Sequence, residues 1–289
     1  MLTELPSSYS LKTTFTGASY CPSSLDSAIN KAKTQLLSLQ HKEGYWVFEL
    51  EADCTIPSEY ILMMHFMDEI DEELQAKIAN FVRSQQSADG SYPLYRGGTG
   101  DISCTIKAYY ALKMAGDAVN ATHMAKAREW ILAKGGAAKG NVFTRIMMAM
   151  FGQIPWRGVP YMPVEIMLLP KWFPFHLSKV SYWSRTVMVP LFILCTYKVK
   201  ARNPNNIGIA ELFVIPPDEE NNYFAHVKTP LGKAILVVER VGRLMEPLIP
   251  AFVRRKATAK ARDWFMERLN GYDGLGAIFT AMVNAYVAM

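Results

Sequence analysis

No self-sufficient catalytic signature stands anywhere in these 289 residues. A GxSxG elbow is absent, and so is an HExxH pair. Neither Gly-rich stretch, "YRGGTGD" or "KGGAAKGN", ends in the GK[ST] that would set a lysine on a phosphate, so both read as turns. Cys21, Cys54, Cys104 and Cys195 are widely separated, which excludes a paired disulfide framework or zinc knuckle and leaves reduced thiols as the default. The five histidines are equally scattered, so neither metal nor cofactor is indicated. The longest uncharged run in the middle, Thr186 to Tyr197, falls short of the roughly 20 residues that cross a bilayer. The amino terminus is polar and Ser/Thr-rich, without the basic start and apolar core of a secretory signal, and reads as a loose leader. A net charge of +5, with no stripe of Lys and Arg interleaved with aromatics, excludes nucleic acid as a partner.

Apolar side chains, by contrast, are plentiful: 50% of the residues are hydrophobic and 12% aromatic against 20% charged. That exceeds what a soluble surface needs, so the surplus must face a large core, an apolar ligand or a membrane. The length suits one or two domains. Basic residues concentrate late, from Lys228 and Lys233 through Arg240, Arg243 and Arg254 to Arg262, which suits anionic headgroups or a solvated helix face.

Helical periodicity runs through the chain and no β-alternation is convincing, so an all-α fold is expected. Leu25, Ala28, Ile29, Ala32, Leu36 and Leu39 mark a first helix, with Ser24 or Asp26 near its start as a cap. Helices follow over Ile56–Met67 and Leu74–Arg83, joined by "DEIDEE". This acidic turn should cap the next helix; clustered carboxylates also suit a magnesium–diphosphate site, the less favoured reading. Gln40, Gly44 and Trp46 close the first helix, and Gln86, Gly90 and Tyr92 repeat the same offsets 46 residues on, an internal repeat of helix-pair length. The middle, "PWRGVPYMPVEIMLLPKWFPFHLSKVSYW", is too broken by proline for one helix and too apolar for an ordinary loop. The Gly232–Pro250 stretch forms an amphipathic helix, and "NGYDGLGAIFTAM" looks like a degenerate third copy of the Gln-Gly-aromatic turn.

These turns, together with "GYWVFELEADCTIPSEYILMMHF", "DISCTIKAYYALKMAGD", "NVFTRIMMAMFGQIPW", "VEIMLLPKWFPFHLSKVSYWSRT" and "ERLNGYDGLGAIFTAM", closely resemble the amino-terminal half of bacterial squalene-hopene cyclases, from about Leu25 onward. The resemblance implies an α/α barrel of helix pairs tied by QW-type turns. Gln40, Gly44, Trp46, Gln86, Gly90 and Tyr92 are then structural, the Gln amide reaching exposed helix-end groups with the indole packed over it. Tyr92 stands where the family has Trp, which should weaken the packing without abolishing the turn. It further implies a leader over residues 1–24, a first helix and turn over 25–50 that packs with the catalytic barrel, and a second barrel over 51–289.

The family protonates squalene with an Asp-rich DxDD acid and steers the cations through a ring cascade to hopene or hopanol; this chain contains no DxDD. The resemblance therefore implies no catalytic residue here, no activity without the missing carboxyl-terminal half, and exposed barrel surface that lowers solubility. Trp183, Ile278, Phe279 and Thr280 match the cavity wall and Val187 the channel constriction, while Trp156 fits cavity or plain packing equally. Relatives often carry Pro at the Thr280 position. The implied partners are squalene, a membrane lipid surface at the cytoplasmic face of the bacterial inner membrane and the missing half, with a homodimer also compatible. Gly232–Pro250 is the candidate membrane plateau, or else an ordinary barrel helix. Two rivals stand beside this: a non-catalytic, membrane-attached hydrocarbon-binding barrel or decaying gene fragment, and a prenyltransferase-like barrel, whose zinc ligands the sequence does not supply.

Overall fold

The computed structural model describes residues 22–48, 53–174, 176–224, 227, 229–271 and 274–289. Most of the leader expected over 1–24, together with Cys21, lies outside the described residues, as do Tyr272 and Asp273 of the third turn copy. The chain divides into two compact units, residues 1–51 and 52–289.

The first unit is described by one helix, α1 (Pro22–Ser38), and the turn after it. Proline at the first helical position brings its fixed φ already suited to the helix, so α1 starts early and Ser24 and Asp26 fall inside it rather than capping it. After α1, Gln40 Nε2 donates to the Gly44 carbonyl at 2.8 Å, the His41 amide to the Tyr45 carbonyl at 2.8 Å, and Trp46 Nε1 to the Leu36 carbonyl at 2.6 Å. The indole, rather than the glutamine, bonds a carbonyl in the last turn of α1, which also accepts from the Leu39 amide at 3.1 Å.

The second unit holds the remaining helices: α2 (Thr55–Met67), α3 (Glu72–Ser84), α4 (Ile102–Met114), α5 (Thr122–Ala133), α6 (Val142–Met150), α7 (Tyr182–Tyr197), α8 (Pro230–Met245), α9 (Ala251–Met266) and α10 (Phe279–Val287). A two-residue antiparallel ladder, β1 (Leu269–Asn270) with β2 (Gly274–Leu275), is the one sheet among the described residues. Acidic and amide side chains start several helices: Asp71 accepts from the Leu74 amide at 2.9 Å, Asp101 from Cys104 at 2.8 Å and Asn141 from Thr144 at 2.9 Å. The "DEIDEE" run thus caps α3 and places Glu72 and Glu73 in its positive first turn. The proline-rich middle resolves into short 3₁₀ turns at Trp156–Gly158, Val164–Leu168 and Leu177–Lys179.

Helix α4 lies deepest. Apart from Ile102 and Lys113 every one of its residues is buried, and it packs against α2, α3, α5 and α6. Full burial of side chains such as Ile106 or Leu112 stabilises by about 1.5–3 kcal/mol each, so this helix anchors the first core cluster. A second cluster gathers Val189 and Phe192 of α7, Ala257 and Phe265 of α9, and Ala281 and Ala285 of α10. Helix α10 corrects the sequence reading, which saw only a turn in "GLGAIFTAM". Its glycines end at Gly276, and the alanines beyond them bury a narrow stripe against α7 that lets the helices approach closely.

Candidate functional site

Where α2, α6, α7 and α10 meet, they leave an apolar cavity of about 80 Å³, walled by Leu62 and Phe66, Ile146 and Met150, Leu191 and Val283. Three polar residues line it, Glu59 from α2 and Thr280 and Asn284 from α10. Glu59 is held by Lys107 of α4, whose Nζ lies 2.5 Å from Glu59 Oε1 and whose side chain is only 4% exposed. An ammonium so deeply buried is tolerated because it is paired. Asn284 Nδ2 is buried and has no hydrogen-bond partner.

Beside the cavity runs a wider groove of about 460 Å³ between α2 and α10, floored by Met64 and Met282 and rimmed by Glu69 and Asp71. Tyr60 and Phe279 stack across it with ring centroids 6.0 Å apart. A small cleft holds Trp156, Tyr161, Cys195 and Arg243. Burial pushes the Cys54 and Cys195 thiols up to about 12 and Cys104 to about 11, so none of the three is a nucleophile at neutral pH. Arg145 is 1% exposed, donates from Nη1 to the Gly158 and Tyr223 carbonyls at 2.9 Å each, and stacks 4.8 Å from the Phe224 ring centroid. It ties two loops to α6; burial lowers its pKa.

Helix α8 is mounted the opposite way from an ordinary amphipathic helix. Its polar side faces the protein: Arg243 donates to the Trp156 carbonyl at 3.2 Å, the Val159 carbonyl at 2.8 Å and Glu239 at 2.5 Å, and Glu239 accepts from the Tyr161 amide at 3.2 Å. Gly242 lets the Tyr161 ring lie flat on the helix, since a Cβ there would stand 2.8 Å from a ring carbon. Val237, Val238, Val241 and Leu244 point outward, Leu244 at 78% exposure, and Leu248 and Phe252 continue the patch. Apolar surface of this extent, flanked by Lys233 and Arg240, marks an interaction face. No helix among the described residues is long and apolar enough to cross a membrane.

Among the described residues, those matched to a cavity wall from the sequence lie at several places. Thr280 lines the 80 Å³ cavity and Phe279 the neighbouring groove. Trp156 lies in the small cleft, and Val187 packs between the two core clusters. Ile278 packs on the second cluster, while Trp183 is 57% exposed and close enough to Gly276 that a Cβ there would stand 3.3 Å from its ring. Glu59, Lys107 and Asn284 were not singled out from the sequence. A signal existed: a lone charge inside each of the otherwise apolar helices "SEYILMMHF" and "TIKAYYAL" has to find a buried partner.

Residues 29–289 match the family model described as the squalene-hopene cyclase N-terminal domain. This chain belongs to the squalene-hopene cyclase family. Among relatives of the family, the squalene-hopene cyclase of Bradyrhizobium diazoefficiens is 48% identical over 263 residues, covering 90% of this chain and 40% of its own length. That of Schizosaccharomyces japonicus is 45% identical over 260 residues, with 89% and 40% covered. That of Alicyclobacillus acidocaldarius is 32% identical over 263 residues, with 90% and 41% covered. The chain therefore spans about 40% of the length of the squalene-hopene cyclases it matches, and the match falls on their amino-terminal part.

Proposed function

We propose that this chain supplies the amino-terminal part of a squalene-hopene cyclase, which converts squalene to hopene or hopanol by proton-initiated polycyclisation. The observation that carries this reading is identity of 45–48% over about 260 residues to squalene-hopene cyclases. Protonating an alkene needs a strong, preorganised acid. The DxDD motif that serves as this acid in the family is not in the sequence, so the proton donor belongs to the remainder of the longer protein and the chain alone is inactive. The role proposed for this part is to furnish cavity wall through Trp183, Ile278, Phe279 and Thr280, with Val187 at the channel. In this reading the helix pairs belong to an α/α barrel, and the turns at Gln40–Trp46 and Gln86–Tyr92 are its QW ties. The exposure of Trp183 supports the view that another part of the protein covers it.

The outward apolar face of α8 is, in the same proposal, the surface that dips into one leaflet at the cytoplasmic side of the inner membrane. Leu244→Asp with Phe252→Asp should abolish flotation of the chain with anionic liposomes; undiminished flotation would remove α8 from that role. The apolar cavity favours one second reading, a membrane-attached hydrocarbon-binding barrel without catalysis. Incubation with squalene, alone and mixed with a DxDD-bearing carboxyl half of a close relative, separates the two by gas chromatography. Pentacyclic product only in the mixture is expected. Product from the chain alone would overturn the placement of the acid, and no product in either would favour the binding module.

A further inference from the structure

We propose that Arg185, near the start of α7, anchors a docking face for a carboxylate side chain carried by the remainder of the cyclase. The inference rests on the cyclase reading and deepens it, naming a contact between the two parts that uses no residue of the cavities described above.

Arg185 is the one charged residue of α7. It is half-buried, its Nε is enclosed with no hydrogen-bond partner, and among the described residues no carboxylate pairs with it. Other half-buried arginines show what such a group ordinarily finds. Arg83 closes on Asp117 at 2.6 Å, Arg243 on Glu239 at 2.5 Å and Arg254 on Glu165 at 2.9 Å. A cation drawn partly out of water and left unpaired is destabilising until a counter-charge arrives.

The surroundings of the guanidinium select that counter-charge. The Tyr182 and Trp264 ring centroids lie 5.9 and 6.0 Å from it, within cation–π range. Such rings offset part of the charge but accept none of the N–H donors, which form a rigid fork in the guanidinium plane. A carboxylate fits the fork with two parallel hydrogen bonds, whereas a carbonyl brings no charge. Trp264 also carries Arg268 at 4.2 Å, but Arg268 is matched by Glu267 at 3.2 Å, and Arg262 by Asp263 at 3.7 Å. Of these arginines Arg185 alone is unmatched, so the charge outstanding is that of a carboxylate rather than of a phosphate dianion.

The carboxylate comes from a protein surface. Tyr182 is 41% exposed beside Arg185 and meets Trp183, 57% exposed, edge-on at 6.1 Å. Bare aromatics around an arginine have the composition of an interface centre, where the partner excludes water from the charged contact. A small free carboxylate would leave both rings wet; a side chain projecting from an apolar surface covers them. The chain spans about 40% of the length of its cyclase relatives, and the remainder of the same protein presents such a surface at high effective concentration.

Arginine-specific labelling by phenylglyoxal, read at Arg185 by peptide mass spectrometry with the exposed Arg255 as reference, tests this on the full 289-residue chain. The probes are N-acetyl-Phe-Asp-Phe-amide, its Asn counterpart, benzoate, and the DxDD-bearing carboxyl half of a close relative. The Asp peptide should protect Arg185 at about tenfold lower concentration than the Asn peptide, the worth of a charge-assisted hydrogen bond. Equal protection by the two peptides would overturn the proposal without recourse to any variant. Benzoate protecting as well as the Asp peptide would overturn it too, because the site would then take small anions. The carboxyl half should protect Arg185 and bind Arg185→Met about tenfold more weakly, with Arg185→Lys between them because an ammonium lacks the fork. Circular dichroism checks that both variants are folded. Binding of the half that is indifferent to both substitutions would overturn the proposal and leave the cyclase reading standing, while no binding of the half to the unmodified chain would overturn both.

Discussion

Gln40 and Gln86 make the same bond, from Nε2 to the carbonyl of the glycine four residues on, at 2.8 and 3.0 Å. Gly44 and Gly90 hold the same left-handed φ of 89°, and each glycine amide returns to the residue three before it. The backbone of the two turns is therefore set locally. What differs is the setting of each. Gly44 meets nothing that would obstruct a Cβ, whereas a Cβ on Gly90 would stand 2.6 Å from the Lys126 carbonyl oxygen of α5. Gln86 Nε2 also bonds the His123 carbonyl at 2.8 Å, for which Gln40 shows no counterpart among the described residues. Trp46 uses its indole N–H on Leu36, while the Tyr92 hydroxyl is buried without a partner. One local motif serves as a helix stop in the first unit and as a bolt between helices in the second.

The largest test of that contrast is glycine replacement. Gly90→Ala combines left-handed strain with a clash against backbone and should cost about 4 kcal/mol, lowering the melting temperature of the chain by roughly 8–16 °C. Gly44→Ala carries the strain alone, about 1 kcal/mol, best read as faster hydrogen exchange at the His41 amide. Equal effects would show that packing does not distinguish the turns. Next comes Gln86→Ala, which leaves two carbonyls short of a donor and should cost about 2 kcal/mol in urea denaturation, against about 0.5 kcal/mol for the exposed Gln40→Ala. Tyr92→Phe should go the other way and stabilise by about 1 kcal/mol, because it deletes a buried hydroxyl that has no partner. A loss there would reveal a bond to the hydroxyl in solution.

The smallest expected difference is in acid. The Ser91 hydroxyl and amide and the Trp130 indole hold Asp89 below the usual carboxylate range. Burial pushes Asp117 up, yet bonds from Arg83 and His123 outweigh it and leave this carboxyl lowered too. Depressed folded-state values mean that the stability they contribute is present above the unfolded value near 4 and is lost as pH falls through the folded ones. Asp117→Asn should flatten the decline in melting temperature below about pH 4, and an unchanged decline would show that Arg83 and His123 do not hold this carboxyl in solution.

Periodicity located α1, α2, α3 and α8 because each carries an apolar stripe or run that water rejects wherever the helix lies. It missed α10, since alanines at helical spacing look like turn material until a neighbouring helix gives them something to pack on. It also passed over the polar pole of the cavity. Glu59 and Asn284 are 225 positions apart in the chain, and nothing along the sequence says that one apolar space receives both. For α8 it found the two faces but could not orient them, because amphipathicity is symmetric until a partner chooses a side. Here Glu239, Gly242 and Arg243 meet the Trp156–Tyr161 segment, and the valines turn outward.

By itself the sequence determined the all-helical class, the helix stops at Gln-Gly-aromatic turns and the family to which the chain belongs, since these follow from short-range spacing and residue type. Tertiary structure decided which charges are paired, which face of α8 is bare and where an unpartnered amide meets an apolar space. Those depend on which distant segments share a volume, and burial sets the free energy of a polar group only once that volume is closed.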